Sequence, residues 1–465
     1  MSSSEPPVLL WLRRDLRLAD NAALRAALAT GSPVLPVYIL DRHSPGRWAP
    51  GGAHLWWLHH SLHSLAAALR ARGATLVLRS GETETVLRTL VAQTGARAVF
   101  AGAAGEPWAR ALEERLTHRL GVPLHLSVTT TLFPPGSIRT KTGGGYGVFT
   151  PFAAACAARG VARPLAAPGH LPGPQTIPPS ETLDSWGLLP RRPDWAGGLR
   201  DFWRPGLGEP PGEAGAQTRL RHVATHILDQ YDQTRDSPGE DGTSLLSPRL
   251  HWGEISAAEA WHAAEGAAVF RRELLWREFC ADLLHHHPQM PHHPLRAEYA
   301  RMPWRQDARA LAAWQQGRTG IPIVDAGMRQ LWQTGWMHNR VRMIVASLLT
   351  KHLLIPWQEG QAWFWDCLVD GDLASNSGQW QWVAGCGADA APYFRIFNPV
   401  LQGRKFDPDG AYVRRYVPEL AALPSRFVHA PWESGARLNY PPPVIDLAAG
   451  RARALAAFHG LRGAA

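Results

Sequence analysis

The sequence predicts two domains of different class, an α/β N-terminal domain built on a doubly wound parallel sheet and an all-α C-terminal domain. Three observations carry that expectation. At 465 residues the chain is too long for one ordinary core. Short β-rich runs at 8–12, 34–40, 75–79, 98–101 and 124–128 alternate with helix-like segments near 20–29, 53–72, 82–94 and 107–120. Such alternation is the mark of a parallel sheet with right-handed crossovers. From Gln217 onward, the apolar spacing is helical to the end. The expected division is therefore 1–130 for the α/β domain, 131–214 for an interdomain linker and 215–465 for the helical domain.

Composition narrows the class further. Hydrophobic content of 45% with 19% charged residues is that of a soluble globular protein. The net charge of +9, carried mostly by Arg, favours a polyanionic partner, and Arg suits phosphate contacts better than Lys does. The 21 Trp outnumber both the 13 Phe and the 8 Tyr, an inversion that core packing does not require and that fits stacking or electron transfer. Cys156, Cys280, Cys367 and Cys386 show no CxxC spacing and read as reduced, packed thiols of a cytosolic protein. The opening MSSSEPPVLLWLRRDL has too short an apolar run for a signal peptide or a membrane span.

In the α/β domain, the first strand runs into WLRRDLRLADNAAL, and ligands of such sheets bind beyond the carboxyl ends of the strands. The linker is rich in Pro and Gly, as in GGGYGVFTPF and RPGLGEPPGEAG. It keeps the aromatic anchors Tyr146, Phe149, Phe152 and Trp186, so it is expected to wrap the surface in an ordered way. The helical domain begins with an amphipathic helix over 220–231, followed by the loop DSPGEDGTSLLSP. There Thr243, Ser244 and Ser247 set hydroxyls beside backbone amides at a helix start, which suits either a phosphate or an ordinary N-cap. In RRELLWREF, Glu273, Trp276, Arg277 and Cys280 share one helix face. The run LHHHPQMPHHP holds five histidines, but no acidic partner is evident at ligand spacing and three prolines interrupt it. A solvated rim loop is expected there rather than a metal site.

The richest stretch lies between Trp336 and Trp382. In WMHNRVRMIVASLL, Val341, Ile344, Val345, Leu348 and Leu349 recur at the spacing of a buried helix face, with Asn339, Arg340 and Met343 together on a neighbouring one. In DGDLASNSGQWQW, Asp370, Gly371, Asp372 and Asn376 lie on a turn leading into a short helix that carries Trp380 and Trp382. A carboxylate beside Arg342 would be paired with it. Taken singly, these residues also fit an ion pair within a Trp-rich core.

Together with TGIPIVDAGMRQL upstream and DAAPYFRIFNP downstream, this string closely resembles the flavin-binding core of the DNA photolyase and cryptochrome family. The resemblance spans nearly the whole chain, strongest over 219–432, and looks most like the class I photolyases of cyclobutane pyrimidine dimers. It implies an FAD cofactor contacted by Tyr231, Thr243, Ser244, Leu245, Leu246, Ser247, Phe270, Arg277, Asn339, Arg342, Asp370, Gly371, Asp372 and Asn376. Phe270 stands where some members have Trp. Asn376 would sit against the flavin N5, and Asp370 would pair with Arg342. Glu273, Trp276, Asn339, Arg340, Met343 and Trp382 would form the lesion pocket, and Arg235 would contact a DNA phosphate. Trp380, Trp357 and Trp304 match the chain of three tryptophans that carries an electron to oxidised flavin during photoactivation.

The implied activity is that of a deoxyribodipyrimidine photo-lyase. Reduced FAD, excited by blue light, passes an electron to a dimer flipped out of UV-damaged DNA, the dimer splits to monomers, and the electron returns to the flavin with no net redox change. Photolyases of (6-4) photoproducts use a histidine pair in the pocket, where this chain offers Asn339 and Met343. A cryptochrome-type photoreceptor is the rival reading, and the intact pocket and the absence of a long polar tail count against it. Pterin-binding members carry an Asn-Glu pair where this chain has Trp108 and Ala109, so a second chromophore is expected to be a deazaflavin or a flavin rather than a folate, or the site to be empty. A monomeric cytoplasmic protein, nucleoid-associated when bound to DNA, completes the expectation.

Overall fold

The computed structural model describes residues 5–390 and 394–463, which fall into two compact units. One comprises Met1–Tyr146, Thr150–His226 and Ser244–Pro288, the other Gly147–Phe149, Ile227–Thr243 and Gln289–Ala465. The units follow spatial contact rather than chain order.

The first unit holds the expected sheet. β1 (Val8–Leu12) and β2 (Val34–Leu40) are buried at every position, as strands covered on both faces must be. β3 (Val77–Ser80), β4 (Val99–Gly102) and β5 (Leu124–Ser127) complete an all-parallel sheet of order β3-β2-β1-β4-β5. The connecting helices are α1 (Ala22–Leu28), α2 (Gly52–Arg70), α3 (Thr83–Thr94) and α4 (Pro107–Arg119). Local signals set their ends. Asn21 caps α1 by accepting from the Leu24 amide, Gly95 stops α3 in the left-handed region, and Pro107 opens α4. The strand order reverses between β1 and β4, which makes their carboxyl ends the switch point of the sheet.

Linker aromatics anchor as expected within this unit. Trp186 packs on Tyr38 of β2 with ring centroids 6.1 Å apart, and Phe152 lies 5.3 Å from Phe279. The helix expected over 220–231 is instead a composite. α5 (Glu213–His222) passes into a π-helical turn at Val223–Ile227. Thr225 donates its hydroxyl to the Arg221 carbonyl at 2.9 Å, a back-bond that loosens the regular ladder. α6 (Ser247–His251) is one short turn, and α7 (Ala268–His286) runs for five turns beyond it.

The histidine run requires a correction, because His285 and His286 form the last turn of α7 and are half-buried rather than solvated. His285 packs against Gly136 and His286 against Gly145, with no room at either glycine for a Cβ. An acidic partner is also present at helical spacing, since His286 Nε2 lies 3.7 Å from Asp282. Among the described residues no group of three or more His, Cys, Asp or Glu is placed to hold a metal ion.

The second unit is helical, its described core built on α8 (Pro322–Thr334), α9 (Asn339–Ser347), α10 (Trp357–Cys367), α11 (Leu373–Ala384), α12 (Pro399–Phe406) and α13 (Ala411–Tyr416). Val341, Ile344, Val345, Leu348 and Leu349 are all at most 1% exposed, so the face read from the sequence is the buried one. Close packing depends on two glycines. A Cβ on Gly327 would meet Val341 and lie 3.0 Å from Val345, and one on Gly360 would lie 2.5 Å from Cζ3 of Trp380. The motif DAAPYFRIFNP has residues 391–393 outside the described set. Among the described residues no helix is long and apolar enough to cross a membrane, and all four cysteines are free and buried.

Candidate functional site

In the second unit, α9 begins at a buried cap. His338 is 2% exposed and its Nδ1 accepts the Arg340 amide at 3.2 Å, which leaves the proton on Nε2. Nε2 has no partner among the described residues. Burial pushes this imidazole down to about 4, opposed by Asp236 and reinforced by Arg340, Arg235 and Arg342. The next two basic residues diverge from the same turn. Arg340 donates to Asp236 at 2.6 Å, lies over the Phe406 ring at 4.4 Å and brings Nη1 to 3.9 Å from Met343 Sδ. Arg342 donates to the Met337 carbonyl at 2.7 Å and to Asp370 at 2.8 Å.

The pairing expected of Arg342 is therefore present, and it joins α9 to the turn before α11. Asp370 Oδ2 takes the guanidinium, whereas the buried Oδ1 has no hydrogen-bond partner among the described residues. Such an oxygen suits a ligand hydroxyl or N–H. Asp372 caps α11 by accepting the Ser375 amide at 2.8 Å, which explains why two carboxylates one residue apart coexist there. Gly371 lies buried between them. Asn376 is held by its amide to the Gln361 carbonyl at 3.0 Å, and the Gln361 side chain bonds Ser377 at 2.7 Å. Asn339 is exposed at the start of α9.

The tryptophans share the core of this unit. Trp357 and Trp380 are 1% and 3% exposed, and Trp304 packs against the same cluster from a partly exposed position. Trp380 meets Phe364 edge-on at 5.0 Å and Trp314 at 6.1 Å. Trp382 donates to the Asp389 carbonyl at 3.2 Å, with Arg395 5.9 Å from its ring. Arg235 lies 5.7 Å from the ring of Tyr231. Thr243 ends this segment of the unit.

The first unit carries the rest of the sequence-derived set. Ser244, Leu245, Leu246 and Ser247 lead into α6, and the residue at the cap position is Leu246, which makes no side-chain cap. The cap position of this helix thus carries no hydroxyl. Ser244 Oγ instead accepts the Leu246 amide at 3.3 Å, and its carbonyl takes Arg219 at 2.8 Å. Leu245 is held at φ 53°, a left-handed conformation that costs a side-chain-bearing residue about 1 kcal/mol. On α7, Phe270 is 3% exposed, Glu273 is half-buried and Trp276 meets Phe279 edge-on at 5.7 Å. Arg277 reaches Glu278 at 3.4 Å and the Leu250 carbonyl at 3.2 Å. At the switch point, Arg13 binds the Gly102 carbonyl and Glu113, and Arg14 pairs with Glu106. Both arginines after β1 are thus tied to carboxylates from α4 and the turn before it.

Sequence reasoning missed Asp236, Phe406, Gln361 and the His338 cap. Asp236 directly follows Arg235, the expected phosphate contact, and an acid beside it was the one local signal.

Two family models match: "DNA photolyase" over residues 8–169 and "FAD binding domain of DNA photolyase" over 270–460. A deoxyribodipyrimidine photo-lyase of Agrobacterium fabrum is 46% identical, covering 99% of each chain. A crystal structure described as a bacterial class III photolyase from Agrobacterium tumefaciens superposes with a TM-score of 0.93 at 45% identity, over 100% of this chain and 99% of that one. An archaeal photolyase from Sulfolobus tokodaii, described with two FAD molecules, gives 0.85 at 29% identity over 98% and 100%. The solved structure at 45% identity is described as class III, whereas the motif resemblance points to class I.

Proposed function

Because the chain belongs to the DNA photolyase family, we propose that it is a light-driven repair lyase that splits cyclobutane pyrimidine dimers in UV-damaged DNA, with FAD as its cofactor. The observation that carries the cofactor assignment is the buried Asp370, one oxygen paired to Arg342 and the other without a donor. Bound reduced FAD supplies the photoexcited electron that opens the dimer. Asp370, Gly371, Asp372, Arg342, Asn339 and Asn376 would contact it, as would Tyr231 and Thr243. By the family resemblance, Ser244, Leu245, Leu246, Ser247, Phe270 and Arg277 would do so.

The protein's own part is positional and electrostatic. Arg342 fixes the Asp370 carboxylate in place through Nη2 at 2.8 Å. The Gln361 carbonyl accepts the Asn376 side-chain amide at 3.0 Å and holds that side chain in place. Glu273, Trp276, Asn339, Arg340, Met343 and Trp382 would receive the flipped lesion, with Arg235 on a phosphate. Trp380, Trp357 and Trp304 would pass electrons through the apolar core. We take the division into 1–130, 131–214 and 215–465 as the functional one, with the protein a cytoplasmic monomer that meets its substrate in the nucleoid. A deazaflavin or flavin fits the second chromophore better than a folate, a reading supported by the two FAD molecules of the archaeal neighbour.

The test is to illuminate the reduced holoprotein with blue light in the presence of an oligonucleotide carrying one thymine dimer. Restored thymines in light and none in darkness are expected. Retained flavin with intact dimers would favour a photoreceptor and overturn the proposal.

A further inference from the structure

Within the second unit, one acidic side chain stands between two basic residues that the proposed function assigns to DNA. Asp236 Oδ2 takes Arg340 Nη2 at 2.6 Å, and its Oδ1 lies 3.8 Å from Arg235 Nε. The Arg340 plane is fixed on a second side by Phe406, 4.4 Å from guanidinium carbon to ring centre. A third restraint is Met343 Sδ at 3.9 Å. The buried Nε of Arg340 has no hydrogen-bond partner among the described residues, so these three contacts, one of them charged, define where the group points. The Asp236 and Arg340 side chains are 34% and 19% exposed, open enough for a nucleic acid to compete for the pair.

We infer that Asp236 is a positioning residue that sets lesion discrimination, by holding Arg340 in the pocket orientation and denying both arginines to the phosphates of undamaged duplex. This inference rests on the proposed assignment of Arg235 and Arg340 to DNA and lesion. Undamaged duplex is bound through phosphates alone, and each arginine released to a phosphate strengthens that binding and steepens its salt dependence. Binding to a flipped dimer instead uses Arg340 where Asp236 and Phe406 hold it. A charge removed at Asp236 therefore acts in opposite directions on the two complexes. Phe406 alone cannot substitute, because an aromatic face attracts a guanidinium without fixing its rotation.

The experiment compares native protein, Asp236→Asn and Asp236→Glu, each with its flavin absorption spectrum intact, on a duplex with and without a single thymine dimer across a salt series. For Asp236→Asn, about tenfold tighter binding of undamaged duplex at low salt is expected, with a log–log salt slope steeper by about one. Dimer affinity should fall by less than about threefold, so discrimination falls by about tenfold or somewhat more. Asp236→Glu keeps the charge and should stay near native. An unchanged slope and ratio in Asp236→Asn would overturn the inference, as would Asp236→Glu behaving like Asp236→Asn. If native protein itself shows no preference for the dimer, the proposed function fails instead, and the salt slope on undamaged DNA still reports whether Asp236 restrains the two arginines.

Discussion

Replacing Arg342 by Met should leave a carboxylate buried without its cation. Asp370 is 2% exposed at its side chain and Arg342 25%, with 2.8 Å between Nη2 and Oδ2. Removing one member of a buried pair costs about 3–5 kcal/mol, and the partial exposure of Arg342 moves the expectation to the lower end of that range. The bond from Nε to the Met337 carbonyl at 2.7 Å adds about 1 kcal/mol. Met fills the volume of the Arg stem, so little packing is lost. The expected total is about 3–4 kcal/mol, read from urea unfolding followed by tryptophan fluorescence. Asp370→Asn should soften the loss, so that the double variant is more stable than the sum of the single changes predicts by about 1–3 kcal/mol. A loss below about 1 kcal/mol for Arg342→Met, or strict additivity in the cycle, would refute the reasoning.

Gly360→Ala places a methyl 2.5 Å from Cζ3 and 2.6 Å from Cζ2 of the buried Trp380 ring, so a destabilisation of about 1–3 kcal/mol and slower photoreduction of oxidised flavin are expected by denaturation and absorption kinetics. Trp380→Phe should abolish that photoreduction yet spare dimer splitting by chemically reduced protein. Glu273→Ala should lower the yield of restored thymines with flavin content unchanged. His338 is lowered to about 4 in the folded chain from an ordinary value near 6.5. The stability of its neutral form is therefore full above pH 6.5 and is lost as pH falls toward 4, a contribution of about 3 kcal/mol. His338→Asn keeps an acceptor at the cap but does not titrate, so its unfolding free energy should fall less than native between pH 7 and pH 4.5.

Much of this arrangement was legible because it is local. The strands expected at 8–12 and 34–40 are those observed, since an apolar run rich in Val, Ile and Leu and buried at every position leaves few alternatives. The buried face of α9 follows from spacing alone. Arg342 and Asp370, 28 residues apart, could be paired in advance only through the family resemblance, because spacing alone left both Asp370 and Asp372 open as the partner. Contacts set by the tertiary fold were not legible. Asp236 and Arg340 are 104 residues apart, and nothing in either segment's periodicity brings Phe406 beneath the guanidinium. Helix irregularity was equally hidden, because the Thr225 back-bond that precedes the break near Ile227 obeys the same apolar spacing as a regular helix. His285 and His286 were misjudged because the prolines after them end α7 without excluding either histidine from its last turn.

The central claim is that this helical core holds a photoexcitable flavin able to reduce a pyrimidine dimer. Its most direct test is the action spectrum of dimer splitting by reduced holoprotein, measured as thymines restored per incident photon from the near ultraviolet to the blue. The efficiency is expected to follow the absorption of the protein-bound reduced flavin, with any second chromophore adding its own band. Splitting that proceeds equally in darkness, or a spectrum unrelated to the bound flavin, would contradict the account.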